Sequence, residues 1–303
     1  MLIKTGKRID AALAAAGECG VLCDIGTDHG YLAAAAVLRG TARRVIATDI
    51  SQKSLDKARR LFSRLGIERF AEVRRGDGFG AVRFDEADVF VVAGVGGGGI
   101  IDILRGGERR PSGNNKFVFV PHKNSRELRA FLTENGYGIT RDRCVADAGK
   151  FYDVITAEFL FPVSGANTDA NAKADTNTAA DANACTDAYA NINADTKKYN
   201  FDCENKAALI NAAAANMKTK VRTNADAYVY ADDAEQRELF LRFGRENFTE
   251  KNPDFHDMLL KRINEFDNIL KTVYNIECER KLESCKNALR IYETGVFCEY
   301  TGI

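Results

Sequence analysis

The run Val21-Leu22-Cys23-Asp24-Ile25-Gly26-Thr27-Asp28-His29-Gly30-Tyr31-Leu32 passes from apolar residues through a glycine-containing stretch into an alanine-rich segment. That order predicts a buried strand, a tight turn and the opening of a helix. Outward from it, β-rich runs alternate with helical ones. Strands are predicted over Val21–Asp24, Arg44–Asp49, Ala71–Arg75, Val89–Ala93 and Phe117–Pro121, and helices over Tyr31–Arg39, Ser51–Leu65, Ile100–Leu104 and Ser125–Asn135. Gly138–Val145 and Phe151–Phe159 predict a closing hairpin. The rhythm is α/β, with parallel strands crossed by helices and one antiparallel strand added at the end.

The remaining sequence divides the chain into three parts. Residues 1–160 hold 25 Lys and Arg against 20 Asp and Glu, and 18 of those cations are Arg, paired at Arg43-Arg44, Arg59-Arg60, Arg74-Arg75 and Arg109-Arg110. Paired arginines suit phosphate contacts, and a solvated surface of mixed charge accounts for them equally well. Between Ala166 and Thr196, 27 of 31 residues are Ala, Asn, Asp or Thr, too little apolar side chain to offset the entropy of ordering. The expected organisation is a catalytic-size domain over 1–162, a low-complexity and disordered insertion over 163–232, and a helical domain over 233–303. In the last part Leu259, Ile263, Phe266, Leu270 and Val273 follow a helical period, and Cys278, Leu282, Cys285, Leu289 and Tyr292 repeat it after a slip near Asn275. With a helix over Glu235–Arg245 before Asn252-Pro253, this predicts a helical hairpin of coiled-coil character. No apolar run reaches membrane-spanning length and no signal-peptide core is present, so the expected location is the cytoplasm. The eight cysteines contain no C-x-x-C pair, so reduced thiols are expected and no metal.

The turn after the first strand carries the chemistry. A dinucleotide fingerprint starting at Gly26 would need glycine at 28 and 31, where the chain has Asp28 and Tyr31. Asp24 and Asp28 would also repel a pyrophosphate, whereas S-adenosylmethionine has no phosphate and carries a sulfonium and an ammonium that carboxylates attract. Asp49, 25 residues beyond Asp24 at the end of the second strand, is placed to accept from ribose hydroxyls. Gly76-Asp77-Gly78 sets a carboxylate between two permissive residues, as an adenine amino group requires. Ala93-Gly94-Val95-Gly96-Gly97-Gly98-Gly99 nearly lacks side chains, which reads as a close approach to ligand. The chain has no Asp/Asn-Pro-Pro-aromatic tetrad and no Pro-Cys pair after the fourth strand, which leaves ring-nitrogen methylation open. Adenine N1 already offers an unprotonated lone pair, so alignment and exclusion of water would suffice.

Together Arg8-Ile9, DIGTDHGYL (Asp24–Leu32), RRGDGF (Arg74–Phe79), VVAGVGG (Val91–Gly97), the Pro121 turn with LRAFLTENGY (Leu128–Tyr137), and GKFYDVI (Gly149–Ile155) resemble the bacterial tRNA adenine-22-N1 methyltransferases. The likeness covers about residues 7–161 and, more loosely, Glu235–Val273. It implies a Rossmann-like seven-stranded class I methyltransferase sheet with a C-terminal α-helical domain, S-adenosyl-L-methionine as cofactor and tRNA as partner. It further implies a cofactor site of Gly26, Asp28, Asp49, Asp77 and the Ala93, Gly94, Val95, Gly96, Gly97 loop, with His29 beside the reaction centre. Asp24, Thr27, Gly30, Ile50 and Gly78 complete the expected cofactor contacts. Arg8, Gly97, Gly98 and His122 are expected to face substrate, and His29, Asp28 and Tyr31 to act in catalysis. The chain departs from the family pattern at Val95, where Met is usual, at Val120-Pro121-His122, where Gln-Pro-Asn is usual, and in the insertion. Asp28 either orients His29 or meets the methionine ammonium, Tyr31 either stacks or packs, and His122 lies at the surface or faces substrate. Two other readings fit the same motifs, a small-metabolite methyltransferase and an inactive RNA-binding module on the same fold.

Overall fold

The computed structural model of the chain describes residues 3–107, 115–160 and 234–295. The expected insertion at 163–232 lies outside the described residues, as do Arg109 and Arg110. The elements are α1 (Lys7–Ala16), β1 (Cys19–Ile25), α2 (Tyr31–Leu38), β2 (Ala42–Asp49), α3 (Gln52–Leu65), β3 (Ala71–Arg75), β4 (Val89–Ala93), α4 (Gly97–Arg105), β5 (Lys116–Val120), α5 (Ser125–Glu134), β6 (Tyr137–Asp147), β7 (Lys150–Phe159), α6 (Ala234–Phe243), α7 (Arg245–Thr249), α8 (Pro253–Thr272) and α9 (Ile276–Thr294). Short 3-10 turns lie between β3 and β4. The seven strands run β3-β2-β1-β4-β5-β7-β6, with β7 antiparallel to both its neighbours. The chain therefore reverses direction across the sheet between β1 and β4, and this switch point opens a crevice at the carboxyl edge of the strands.

The sheet is buried on both faces, as a parallel sheet must be. One face packs against α1, α2 and α3, where Ala33, Ala34, Ala35 and Ala36 are fully buried and their small side chains let α2 lie close to the strands. The other face carries Phe90, Phe117 and Phe119, stacked at centroid distances of 5.6 and 6.0 Å, beneath α4 and α5. α3 starts on Ser51, whose Oγ accepts from the Ser54 N–H, and ends on Gly66 in the left-handed conformation. Sequence reading did not assign α1, whose only large apolar residues, Ile9 and Leu13, stand among alanines and charges. Tertiary contact supplies the missing signal, as Ala12, Leu13 and Ala16 are buried.

β6 is an edge strand, and its outer backbone groups are capped by side chains of the C-terminal helices. Glu246 Oε2 accepts from the Asp142 N–H at 2.6 Å, Asn247 Oδ1 from Cys144 N–H at 2.7 Å, and Asp254 Oδ2 from Ala146 N–H at 3.0 Å. Asn252 Nδ2 donates to the Cys144 carbonyl at 2.8 Å. Four side chains thus finish a strand that would otherwise expose a pairing edge. Under them lies Arg129 of α5, 0% exposed, which donates to both Asp142 oxygens at 2.7 and 2.8 Å. The same guanidinium reaches Asp153 at 3.1 Å and the carbonyls of Leu241 and Arg242 at 3.2 Å, closing the end of α6 onto the sheet.

The helix expected around Glu235–Arg245 ends at Gly244, as its sequence predicts; Gly244 has φ +79, and a Cβ there would lie 2.6 Å from the Asp142 carboxylate. α7 then begins at Arg245. α8 and α9 pair as the expected hairpin, with Phe255 of α8 against Tyr292 of α9 and Asn275 capping the start of α9. Among the described residues no helix is long and apolar enough to cross a membrane.

Replacing Arg129 with Leu leaves Asp142 buried and unpaired. The expected loss is about 3–5 kcal/mol of stability, read by chemical denaturation, with little recovery in Arg129→Lys because a lysine cannot serve two carboxylates and two carbonyls at once. A loss under about 1 kcal/mol would show that the clamp is dispensable.

Candidate active site

At the switch point the β1–α2 turn is tied to β2. The Gly26 and Thr27 N–H groups both donate to the Thr48 carbonyl at 2.9 Å. Three of five residues in the turn are left-handed, Gly26 at φ +77, Asp28 at +46 and Gly30 at +75. Gly30 is required twice over, because a Cβ there would lie 2.9 Å from the Phe62 ring and 3.0 Å from Ala58 Cβ. α3 is therefore seated directly under the turn.

Asp24 points inward rather than into solvent. It is 3% exposed, accepts from Thr27 Oγ1 at 2.6 Å and from the Ala33 N–H in the first turn of α2. Burial pushes its carboxyl up to about 6, against the lowering effect of those two hydrogen bonds and with a small further rise from Asp49. Asp49 sits at the end of β2 and is held by backbone. Its Oδ2 accepts from the Asp28 N–H at 3.1 Å and its Oδ1 from Ser51 N–H at 2.8 Å, which leaves lone pairs on each oxygen for a ligand. Ile50 beside it is 63% exposed, an apolar surface with no protein cover.

Asp77 is exposed at the end of β3, and the Gly76 N–H bonds the Asp49 carbonyl at 3.1 Å, so the two acidic turns are coupled. The flanking glycines have packing reasons. A Cβ on Gly76 would meet Ala81 at 2.5 Å, and Gly78, at φ +50, sits 3.1 Å from Ile103 by the same measure.

The glycine run after β4 differs from expectation. The helix was expected to start at Ile100, yet Gly97, Gly98 and Gly99 form the first turn of α4. Gly97 is buried against the β5–α5 turn, where a Cβ would fall 2.1 Å from the Asn124 carbonyl oxygen, and its N–H donates to the Lys123 carbonyl at 2.8 Å. A Cβ on Gly99 would lie 2.6 Å from Val95. Packing thus explains two glycines that sequence reading had attributed to ligand approach. Gly94, at φ +83, and Gly98 have open space where a Cβ would sit. Ala93 closes β4, and Val95 lies across from Gly26, 3.8 Å from the position of its missing Cβ, so the two loops face one another.

The expected catalytic residues come together. Asp28 Oδ2 lies 3.3 Å from His29 Nε2, and the His29 and Tyr31 rings stack at 5.8 Å with 28° between planes. Tyr31 is exposed rather than packed. Two residues of α3 that sequence reading missed join them. Ser54 Oγ donates to Asp28 Oδ1 at 3.3 Å, and Lys57 Nζ lies 3.5 Å from the same oxygen and 3.4 Å from His29 Nε2. Their spacing of three, on the helix that follows Asp49, was the available signal. Arg8 is engaged elsewhere, its guanidinium 5.0 Å above the Tyr152 ring of β7. His122 is exposed in the β5–α5 turn, its N–H bonded to the Val95 carbonyl at 3.2 Å.

With this geometry in place, comparison with known proteins defines the class. Residues 5–155 match the methyltransferase domain family, and the sheet has the Rossmann-like class I methyltransferase arrangement. The chain is similar to tRNA (adenine(22)-N(1))-methyltransferases. It is 31% identical over 156 residues to the tRNA (adenine(22)-N(1))-methyltransferase of Bacillus subtilis, a match covering 52% of this chain and 66% of that protein. The chain spans less than two thirds of the length of the curated relatives it matches, 66%, 62% and 61%. In fold it is similar to the crystal structure of the B. subtilis M1A22 tRNA methyltransferase TrmK, with TM-score 0.58 and 20% identity over 96% of this chain and 97% of that one. Streptococcus pneumoniae Sp1610, solved in complex with S-adenosyl-L-methionine, gives TM-score 0.62 and 19% identity over 95% of this chain and 100% of that one.

The state of Asp24 gives a pH signature. A carboxyl raised from 3.8 to about 6 favours folding while neutral, an advantage complete below pH about 4 and lost as pH rises through about 6. Asp24→Asn keeps an acceptor for the Ala33 N–H without the charge. Its melting temperature relative to the parent is expected to climb between pH 4 and 7.5, by an amount equivalent to at most about 3 kcal/mol. A difference that stays flat with pH would mean that Asp24 is not held in its neutral form.

Proposed function

We propose that the chain is an S-adenosyl-L-methionine-dependent methyltransferase that methylates N1 of an adenine in tRNA, at position 22. The observation that carries this reading is the character of the crevice, where carboxylates and open backbone line a site that has no phosphate-binding loop. Asp49 is held by two backbone N–H groups with lone pairs to spare, Ile50 offers an apolar face beside it, and Gly94 leaves its backbone uncovered. These residues fit the cofactor. Asp49 would hold the ribose hydroxyls, Asp77 the adenine amino group, Ile50 the adenine face and the Ala93–Gly96 backbone the methionine end. Bound there, the cofactor supplies a methyl group activated on a sulfonium.

The protein's own contribution is positioning. The stacked His29 and Tyr31 rings border the crevice and offer a flat surface against which a base can lie. Gly98 leaves room for that base at the start of α4. Adenine N1 needs no general base, so orientation and exclusion of water account for the chemistry assigned to the site. In this reading residues 1–162 form the methyltransferase domain and residues 233–303 a helical domain that adds RNA contacts. The arginines of the first domain meet phosphates, and the enzyme works in the cytoplasm where its substrate is.

Incubation with a methyl-labelled cofactor and unmodified tRNA, followed by digestion and nucleoside mass spectrometry, is expected to yield N1-methyladenosine. Asp49→Ala should weaken cofactor binding in calorimetry by roughly 1.5–3 kcal/mol, the scale of lost charge-assisted hydrogen bonds. A labelled product other than N1-methyladenosine would overturn the assignment of the reaction, and an unchanged affinity would remove Asp49 from the site.

A further inference from the structure

Four acidic side chains gather around the crevice, Asp24 beneath the turn and Asp28, Asp49 and Asp77 at its surface, and a cofactor with one sulfonium and one ammonium does not need all of them. The structure separates them by their partners. Asp24 is buried beneath the turn, Asp49 is held by backbone N–H groups, and Asp77 is exposed at the end of β3. Among the described residues, Asp28 alone of the four meets a cation, Lys57, with Ser54 on the same oxygen and His29 on the other. A carboxylate already answered by an ammonium is a poor second partner for another one.

We propose, on the methyltransferase reading above, that Lys57 is a positioning residue that commits Asp28 to His29 and the substrate base rather than to the cofactor. The arrangement is built into the packing. Gly30 rests on Ala58 and Phe62 with no room for a Cβ, so α3 cannot slide beneath the turn. Lys57 precedes Ala58 and Ser54 lies one helical turn earlier, which brings both to the edge of α3 beside Asp28. Asp28 is held in the left-handed region at φ +46, a conformation uncommon outside glycine, and its own N–H is tied to Asp49. Backbone and side chain of one residue therefore serve two neighbours, Asp49 through the N–H and His29 through the carboxylate. Lys57 and Ser54 fix the second of these. With the His29 ring stacked on Tyr31, movement of Asp28 would disturb the surface where the base lies.

Lys57→Met tests this because the side chain is half-exposed, and its ion pair belongs to the class that contributes little to folding. The expected result is a melting temperature within a degree or two of the parent, a dissociation constant for S-adenosylmethionine within about twofold, and kcat on tRNA lower by roughly tenfold, with Lys57→Arg recovering most of it. Asp49→Ala, run in parallel, should show the opposite order, with cofactor affinity lost first. A readout free of RNA comes from the imidazole resonances of His29, one of three histidines, identified by their loss in His29→Ala. They should move in Lys57→Met and stay near their parent positions in Lys57→Arg. With Asp28→Asn already in place the addition of Lys57→Met should move them little further, which separates an effect through Asp28 from loss of the direct 3.4 Å contact between Lys57 and His29. If Lys57→Met turns over like the parent, weakens cofactor binding as Asp49→Ala does, or leaves the His29 resonances in place, the role of Lys57 is wrong while the methyltransferase reading stands. If the parent itself forms no N1-methyladenosine, that reading falls and this role falls with it.

Discussion

A guanidinium with no solvent exposure needs a partner for nearly every donor, and Arg129 finds its partners on three different elements. It takes Asp142 from β6, Asp153 from β7 and two carbonyls from the end of α6. An isolated buried charge of this size would be strongly destabilising, so the residue is tolerated only where all three elements are in place. The consequence reaches beyond the ion pair. Fixing the end of α6 fixes Gly244, and Gly244 directs the chain into α7, from which Glu246 and Asn247 cap the outer edge of β6. The sheet edge and the C-terminal helices are therefore a single construction.

The centre of the sheet was legible because its signals are local. A strand followed by glycine and a helix can be read from a dozen residues, and the acidic residues at strand ends stand out because β1, β2 and β3 each terminate in a turn. Asp49 and Asp77 were named from position alone, and both lie on the carboxyl edge of the sheet, where the structure couples them through the Gly76 N–H. The glycine run after β4 was legible as unusual, but not for its reason. A sequence shows that a side chain is missing and not what would have occupied the space, so Gly97 against Asn124 and Gly99 against Val95 required coordinates.

What could not be read depends on distance along the chain. Arg129 and Leu241 are separated by 112 residues, and nothing in the text of either segment announces the other. A buried arginine is indistinguishable from a surface one until its carboxylate is found, and Asp142 looks like an ordinary charge in a strand that faces water. α1 was hidden for a related reason, since an alanine-rich stretch has no strong hydrophobic period and acquires its helical face only by packing on the sheet. Lys57 and Ser54 were within reach, separated from Asp28 by α2, β2 and the start of α3. Their role needed the seating of α3 under Gly30, a close approach that only the absence of a Cβ permits.

These packing constraints and the electrostatics of the crevice are one problem. Grouping four carboxylates at one edge of a sheet is unfavourable unless each is compensated separately, and the protein uses a different device for each. Asp24 is withdrawn from water beneath the turn, where burial pushes its carboxyl up to about 6 and Thr27 and the Ala33 N–H answer it. Asp49 accepts one backbone N–H on each oxygen and has lone pairs to spare on both. Asp28 is matched with an ammonium, and Asp77 is left to solvent at the rim. A uniform cluster would attract any cation, metal ions included. Graded compensation instead leaves Asp49 with backbone donors behind it and lone pairs in front. On the proposed function, a ligand that offers hydroxyls to Asp49 and positive charge nearby would be favoured over a bare ion, with the adjacent face of His29 and Tyr31 open to an aromatic partner.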